Sequence, residues 1–277
     1  MCIQFPEIAE KLTAAEQSIL EFIEGHREEF LFMTIGQVAE QLHVSDATVS
    51  RFAKHVGCRD FKHLKAMVLE QNHLEGPAGK LAKTLFREDS FQAAYYVMQQ
   101  QLCLEKTAEH LDAEIFERAI YCLLNAKRIF LFGKSASASV SQLLYFRLRR
   151  LGLSVSLLPT GGSEIAEGLA QVQREDVVVI FSFSKISKEA RLILDYQKEA
   201  GFQTVAFTSR LHVPTEEQAS VNLYVYRGKE QEYHSMTAAV AVVDALVVAL
   251  SEKCGADSVR CLHKIHQLKK YYADNLS

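Results

Sequence analysis

The sequence lacks the marks of a secreted or membrane-spanning protein. Its six cysteines include no C-x-x-C pair, and in a chain of 277 residues this scatter indicates reduced thiols, not a disulfide framework. Glu7 and Glu10 precede any apolar run near the N-terminus, which does not fit a signal peptide. The most apolar stretch, residues 238–250, has 13 residues and carries Asp244, whereas a bilayer crossing needs about 20. We therefore expect a cytoplasmic protein with no membrane partner.

The chain also lacks an excess of positive charge, internal repeats and low-complexity segments. Its 31 Lys+Arg face 34 Asp+Glu, and the formal net charge of −3 gives no sign, for the chain as a whole, of a nucleic-acid binder. A hydrophobic fraction of 48% excludes a largely disordered chain. At roughly 100–200 residues per domain, the length favours two domains.

Proline is scarce, and Gly76-Pro77-Ala78-Gly79 is the only Pro/Gly cluster before the centre of the chain, which predicts a hinge. Upstream, helical patterns dominate, and Thr13 with Glu16 forms a capping box that predicts a helix start. Helical patterns continue to residue 125, with Asp112 as an N-cap. We predict four segments: a helical domain at 1–75, a hinge with linking helices at 76–125, an α/β domain at 126–254 and a helical tail at 255–277.

After residue 126 the hydrophobic pattern changes. Five short apolar runs appear, most of them separated by helical patterns of 10–15 residues, which is typical of a parallel sheet covered by helices on both faces. The expected fold is therefore an all-α N-terminal domain followed by an α/β domain with a five-stranded, flavodoxin-like parallel sheet. The runs are Ile129–Phe132, Val155–Leu158, Val177–Phe183, Thr204–Phe207 and Val221–Tyr226.

Residues 35–55, IGQVAEQLHVSDATVSRFAKH, have the pattern of a helix-turn-helix. Ala39 supplies the small residue that a close helix crossing needs, and Ser45 caps the second helix. Polar and cationic side chains then face outward, as suits the DNA major groove. One departure is His43, where the tight turn usually has Gly. The predicted DNA-contacting residues are Ser45, Asp46, Thr48, Arg51, Lys54, Lys62 and Lys65.

Local charge agrees with this interpretation. Residues 45–65 carry five cations against two carboxylates, whereas residues 7–40 carry eight carboxylates against two cations. The basic side therefore coincides with the proposed recognition helix, where contacts to DNA phosphates need it. Thr48 and Arg51 are expected to read base edges, and the three lysines to contact phosphates. The alternative is a three-helix interaction module whose cations only form a solvated face.

The same segment resembles the N-terminal domain of RpiR-type bacterial transcription regulators. The resemblance covers Leu12–Lys65, including the ending Phe61-Lys62-x-Leu64-Lys65, and it is specific as a set although each part alone is weak. It implies a DNA-binding transcription regulator with a double-stranded operator as partner. We expect a homodimer or a dimer of dimers, with half-sites about one helical turn apart.

Two serine-rich loops follow the first and third predicted strands, as GKSASAS at 133–139 and SFSKIS at 182–187. Neither is a P-loop or a G-x-G-x-x-G loop, so ATP and NAD are disfavoured and no cofactor is expected. Hydroxyls and backbone N–H groups at the carboxyl ends of parallel strands form an anion site at the expected ligand crevice. This chemistry fits the phosphate of a small polar molecule.

These loops, together with RLRRLG at 147–152 and VVDAL at 242–246, resemble the sugar-isomerase (SIS) domain of RpiR-type regulators over about residues 125–250. The resemblance implies a phosphosugar effector and control of sugar-metabolism genes. The phosphosugar-binding residues that we predict are Gly133, Lys134, Ser135, Ser137, Ser182, Ser184, Lys185 and Ser187.

Two residues depart from the SIS pattern. Ser135 and Lys185 both stand where the family usually has Gly. If the second glycine is needed for a positive φ or for close ligand approach, Lys185 strains or blocks the site. Alternatively, Lys185 meets the phosphate as a point charge.

Two other functions remain as alternatives. A phosphosugar isomerase would need a general base, for which Glu164, Glu232 and His234 are candidates, although no acid/base pair follows from their spacing. A ligand-independent repressor would use the SIS domain for dimerisation only. A metal site formed by Cys261, His263 and His266 is disfavoured, because Cys261 does not share the helix face of the two histidines.

Overall fold

The computed structural model describes residues 3–5, 12–71, 76–86 and 92–273. It divides into two compact units. The N-terminal unit comprises residues 1–97 and 228–234, and the C-terminal unit comprises residues 98–227 and 235–277. No helix in these described ranges has the length and hydropathy that a bilayer crossing requires.

The first part of the chain is helical throughout its described segments, as predicted. The predicted caps are present: Thr13 and Glu16 form a capping box, and the Ser45 hydroxyl accepts the Thr48 N–H. Thr34 and Gln37 form a second capping box, which was not predicted. The helices are α1 (Ala14–Gly25), α2 (Arg27–Phe32), α3 (Ile35–Gln41), α4 (Asp46–His55), α5 (Phe61–Gln71), α6 (Gly76–Leu85), α7 (Ala93–His110) and α8 (Ala113–Asn125).

The Pro/Gly cluster that predicts a hinge is part of a helix instead. Helix α6 begins at Gly76, so that Pro77 lies in its first turn. The N–H groups of a first helical turn have no intrahelical acceptor, so a proline there removes no hydrogen bond. The segment predicted as a hinge, residues 76–79, therefore forms the start of a helix, and its role as a hinge stays a prediction.

The second part of the chain is an α/β fold with a five-stranded sheet. All its strand pairs are parallel and the strand order is β2-β1-β3-β4-β5, the flavodoxin-like order. The elements are β1 (Ile129–Gly133), α9 (Ser137–Arg150), β2 (Val155–Leu157), α10 (Glu164–Leu169), β3 (Val177–Phe181), α11 (Lys188–Ala200), β4 (Gln203–Thr208), a 3-10 turn (Thr215–Glu217), β5 (Val221–Tyr224), α12 (Thr237–Cys254) and α13 (Ala256–Tyr271).

The sheet is buried on both faces, which explains its continuous apolar strands. Leu131 and Val179 point to a core formed with α8, α9 and α12. Phe130 and Val178, one residue earlier in each strand, point to the opposite core, formed with α10 and α11. The prediction of helices on both faces is confirmed. Because the strands are parallel, the loops after β1 and β3 leave the same edge of the sheet.

Candidate functional sites

The turn between α3 and α4 has the geometry of a helix-turn-helix. Ala39 is buried at the crossing, and the N–H of Val44 donates to its carbonyl oxygen at 2.9 Å. His43 adopts φ +54°, the left-handed conformation that glycine takes most easily. His is one of the non-glycine residues found there most often. The residue that departs from the expected glycine therefore keeps the turn, at some conformational cost.

The outer surface of α4 carries most of the predicted DNA-contacting residues. Ser45, Asp46, Arg51 and Lys54 are exposed and Thr48 is half-buried. The Arg51 guanidinium donates to the Thr48 hydroxyl at 3.3 Å, so the two predicted base-reading side chains lie side by side. The structure thus brings five of the seven predicted residues together on one helix and its cap.

The two lysines of α5 are placed differently. Lys65 is 7% exposed, and its ammonium donates to the Met33 carbonyl and lies 5.0 Å from the Phe61 ring centre and 5.4 Å from that of Phe86. Burial lowers the pKa of Lys65 to about 8. An ammonium enclosed in this way does not fit the predicted role as a phosphate contact, so we correct that expectation. The Lys62 Nζ is also buried, without a hydrogen-bond partner among the described residues.

The serine loops after β1 and β3 line one cavity of about 290 Å³ in the C-terminal unit. Phe132, Phe181 and Phe183 are among its lining residues. Seven of the eight residues predicted to bind a phosphosugar line it: Lys134, Ser135, Ser137, Ser182, Ser184, Lys185 and Ser187.

Gly133, the eighth predicted residue, shapes the loop without lining the cavity. A Cβ atom at this position would lie 2.6 Å from the Ser137 carbonyl oxygen, closer than real Cβ contacts. Only glycine therefore lets the end of β1 pass the first turn of α9. The next departure from the family pattern, Ser135, has φ +55° and occupies the conformation in which a glycine is usual.

Lys185 carries no backbone strain. In the described part of the chain the non-glycine residues with positive φ are His43 and Ser135, so the glycine usual at position 185 is not needed for its conformation. The Lys185 side chain is exposed at the cavity, and its carbonyl oxygen accepts the Ser182 hydroxyl at 3.3 Å. The strain that we considered for this lysine is therefore absent.

Lys134, the cation of the first serine loop, is paired with a carboxylate. The Lys134 ammonium lies 2.7 Å from the Glu189 carboxylate. Its hydrogen bond is the main cause that lowers the pKa of Glu189 to about 2. The Ser187 hydroxyl caps α11 by accepting the Ala190 N–H at 3.1 Å. These contacts hold the two loops in place.

One charged residue of the cavity lining was not predicted from the sequence. Arg227 follows β5, is 9% exposed and lines the cavity. Its guanidinium donates to the Ser184 hydroxyl at 3.3 Å and to the Ser209 hydroxyl at 3.4 Å, and it lies 4.0 Å from the centre of the Phe183 ring. The signal that could have found it is positional, because an arginine after a parallel strand lies at the sheet edge where the serine loops end.

The candidate general bases lie elsewhere. Glu164 is exposed at the start of α10, and neither it nor Glu232 nor His234 lines the cavity. Glu232 and His234 belong to the 228–234 segment of the N-terminal unit, where His234 Nε2 is 3.0 Å from the Lys229 carbonyl oxygen. The cavity lining contains no carboxylate and no histidine among the residues described. Its chemistry is therefore that of an anion-binding site.

A metal centre has no support in the described ranges. No group of three or more His, Cys, Asp or Glu side chains there has a metal-binding arrangement. Cys261, His263 and His266 lie on α13 without forming such a group.

Comparison with known proteins gives two family matches. Residues 4–73 match the helix-turn-helix domain of the rpiR family, and residues 122–249 match the SIS domain. A protein of Caldanaerobacter subterraneus, described as an HTH-type transcriptional regulator, is 23% identical over 269 residues, covering 95% of this chain and 94% of that protein.

Two solved structures share the fold. The sugar isomerase domain of an RpiR transcription factor from Sphaerobacter thermophilus covers 64% of this chain and 99% of its own, with a TM-score of 0.60 and 22% identity. The Vibrio vulnificus NanR protein complexed with ManNAc-6P covers 94% of each chain, with a TM-score of 0.54 and 19% identity. These likenesses agree with the parallel sheet and helical N-terminal part described above.

Proposed function

Because this chain joins an rpiR-family helix-turn-helix domain to a SIS domain and so belongs to the RpiR-type transcription regulators, we propose that it binds an operator through α4 and senses a phosphosugar in its serine-lined cavity. The observation that carries the proposal is the meeting of two distant serine loops in one cavity. Its target genes would be those of sugar metabolism, and it would act in the cytoplasm, where the DNA lies.

Several features of the cavity support a phosphate group as the part of the ligand that is recognised. Hydroxyl donors surround it, and the N-termini of α9 and α11 begin beside its two loops, where helix dipoles favour an anion. Lys185 adds an exposed positive charge that can approach the ligand. NanR, which has the same fold, was solved with a phosphorylated amino sugar, and this favours a sugar phosphate here too.

On the DNA side, we assign the operator interface to Ser45, Asp46, Thr48, Arg51 and Lys54. Short polar side chains at the start of α4 suit base edges, while Lys54 in the last turn suits a phosphate. Lys65 is left out because it is buried, and Lys62 is left out because its Nζ is buried. A dimer would present two such helices to half-sites about 34–36 Å apart, centre to centre.

Sensing requires that the ligand has different affinities for two states of the protein, one of which binds the operator better. The absence of a carboxylate or histidine from the described cavity lining favours binding over isomerisation, since isomerisation needs a general base near the sugar carbons. The ligand-independent repressor would have the same fold with no response to sugar phosphates.

Two experiments test the proposal. Mapping of binding sites across the genome should yield a small set of operators beside sugar-metabolism genes, and an absence of sites would refute the regulator. Thermal shift with a panel of sugar phosphates, each compared with its unphosphorylated sugar, should show a higher Tm for one phosphate, since binding to the native state alone stabilises it. No shift would favour the ligand-independent repressor, and turnover of a sugar phosphate would favour the isomerase.

A further inference from the structure

The guanidinium of Arg227 is buried without an opposite charge. In the part of the chain that the structure describes, no carboxylate forms an ion pair with it, and its hydrogen bonds go to two serine hydroxyls and the Met236 sulfur. Arginine is rarely buried unless it is paired, because a charge loses its hydration on burial. Burial also lowers the pKa of Arg227 to about 10, yet the group stays cationic at neutral pH.

Two carboxylates of the same unit are paired with other cations. Glu217 pairs with both Arg191 and Arg210, and Glu189 pairs with Lys134. Among the cations lining the cavity, Lys134 and Lys185 are exposed, so Arg227 is the buried one in the described lining. The missing negative charge is therefore best supplied from the cavity itself.

The contact between Arg227 and Ser184 also fixes the direction of a hydrogen bond. The guanidinium N–H donates to the Ser184 Oγ at 3.3 Å, which occupies a lone pair and leaves the hydroxyl proton free to point into the cavity. A cationic donor polarises the hydroxyl and strengthens it as a donor to a third group. Arg227 and Ser184 together can therefore donate hydrogen bonds to an anionic oxygen of a ligand, whereas a ligand group that is itself a donor fits this pair poorly.

Resting on the proposed phosphosugar function, we propose that Arg227 is a specificity-determining residue of this cavity, which balances the charge of the bound phosphate and, through Ser184, selects the phosphate dianion. The guanidinium carbon of Arg227 lies 4.0 Å from the centre of the Phe183 ring, a cation–π contact that helps to position it. The dianion is preferred over the monoanion because the monoanion carries one charge fewer and a proton that the site cannot accept well.

The test uses the full-length chain and inorganic phosphate as the probe, with binding followed by calorimetry at pH 7.5 and pH 5.5. Wild type should bind more weakly at pH 5.5, where phosphate is mainly a monoanion. Arg227→Met should weaken binding at pH 7.5 by about 10-fold to 100-fold, the effect of losing a charged hydrogen-bond donor, and should flatten the pH dependence. Arg227→Lys keeps the positive charge but loses the planar guanidinium group, so its phosphate affinity should lie between those of wild type and Arg227→Met.

Lys198→Met is the matched control, because it removes one positive charge from an exposed, ion-paired position near the far end of α11. It should bind phosphate as wild type does. Circular dichroism and Tm check that each variant folds. If Arg227→Met does not fold, the phosphate affinity of Arg227→Lys provides the test. If the folded Arg227 variants bound phosphate with wild-type affinity, the inference about Arg227 would be overturned, but the proposed effector function would not. If wild type bound neither phosphate nor any sugar phosphate, the proposed effector function would fail with it.

Discussion

Among the described residues, each of the two units has one lysine or arginine whose exposure is below 10%, and the two residues have different surroundings. Lys65 in the N-terminal unit and Arg227 in the C-terminal unit are 7% and 9% exposed, and burial lowers the pKa of both, to about 8 and about 10. Lys65 is enclosed by a backbone carbonyl and two aromatic rings. Arg227 instead opens onto a serine-lined cavity. Burial of a charge therefore indicates a binding site only where a cavity gives a ligand access to it.

The difference follows from the chemistry of the two side chains. A lysine that loses hydration can release its proton within a few pH units of neutrality, which limits the cost of burying it. An arginine keeps its charge, so the cost persists until an anion arrives. Burial of Lys65 therefore carries a cost to the folding of the N-terminal unit, whereas we have proposed Arg227 as part of a ligand site.

The largest expected effect contrasts Lys65 with an exposed cation of the same unit. Arg51→Ala should weaken operator binding by about 10-fold to 100-fold, because a base contact contributes about 1–3 kcal/mol. Lys65→Met should leave operator affinity and its salt dependence unchanged, since a buried ammonium releases no counterions from DNA. Fluorescence anisotropy with a mapped operator, measured between 50 and 200 mM salt, compares the two variants.

If operator affinity depended less steeply on salt concentration in Lys65→Met than in wild type, Lys65 would be a phosphate contact. The contrast with Arg227 would then be lost. Lys54→Met serves as the positive control, because Lys54 is exposed in the last turn of α4 and we propose it as a phosphate contact.

The sequence allowed prediction of the sheet but not of these two buried cations. Runs such as Val177–Phe183 are apolar because both faces of a parallel strand are covered, so the strands and their surroundings could be recognised locally. Burial of Lys65 depends instead on α2 and on Phe86, which only the tertiary fold brings to it. The counts of basic residues that pointed to residues 45–65 treat a buried and an exposed lysine alike.

The cavity was predictable to the extent that strand ends define it. The two serine loops follow neighbouring strands β1 and β3, and their meeting follows from the parallel order. Arg227 follows the edge strand β5 and reaches across β4 to Ser184. That reach depends on side-chain geometry, which no local pattern encodes. The helical conformation of residues 76–79 could not be predicted for a related reason, because Pro77 fits a first helical turn as well as a loop.

The next effect concerns the stability of the N-terminal unit at alkaline pH. Below about pH 8 folding carries the full cost of a buried ammonium at Lys65, and between pH 8 and 10.5 the unfolded chain retains a proton that the folded state has released. The contribution of Lys65 to the free energy of unfolding therefore becomes more favourable as the pH rises from 8 to 10.5. Lys65→Met should be more stable than wild type at pH 7, by at most about 3 kcal/mol, and the gap should narrow towards pH 10.

Urea denaturation of the two proteins at pH 7, 8, 9 and 10 measures the gap. Other groups titrate in the same window, but they are common to both proteins, so the difference isolates Lys65. A gap that stays constant with pH would mean that Lys65 is hydrated in solution and would break the comparison with Arg227.

The smallest expected effect compares His43 and Ser135, the two non-glycine residues of the described ranges that adopt a positive φ, one in each proposed site. His43→Gly should stabilise the protein by up to about 1 kcal/mol, because it relieves the left-handed conformation while adding entropy to the unfolded chain. Ser135→Gly should stabilise it similarly but weaken phosphate binding, since a cavity hydroxyl is lost. Denaturation midpoints and phosphate calorimetry separate the two effects. If Ser135→Gly bound phosphate as wild type does, Ser135 would not be a binding residue. Its backbone conformation would then affect only the stability of the protein.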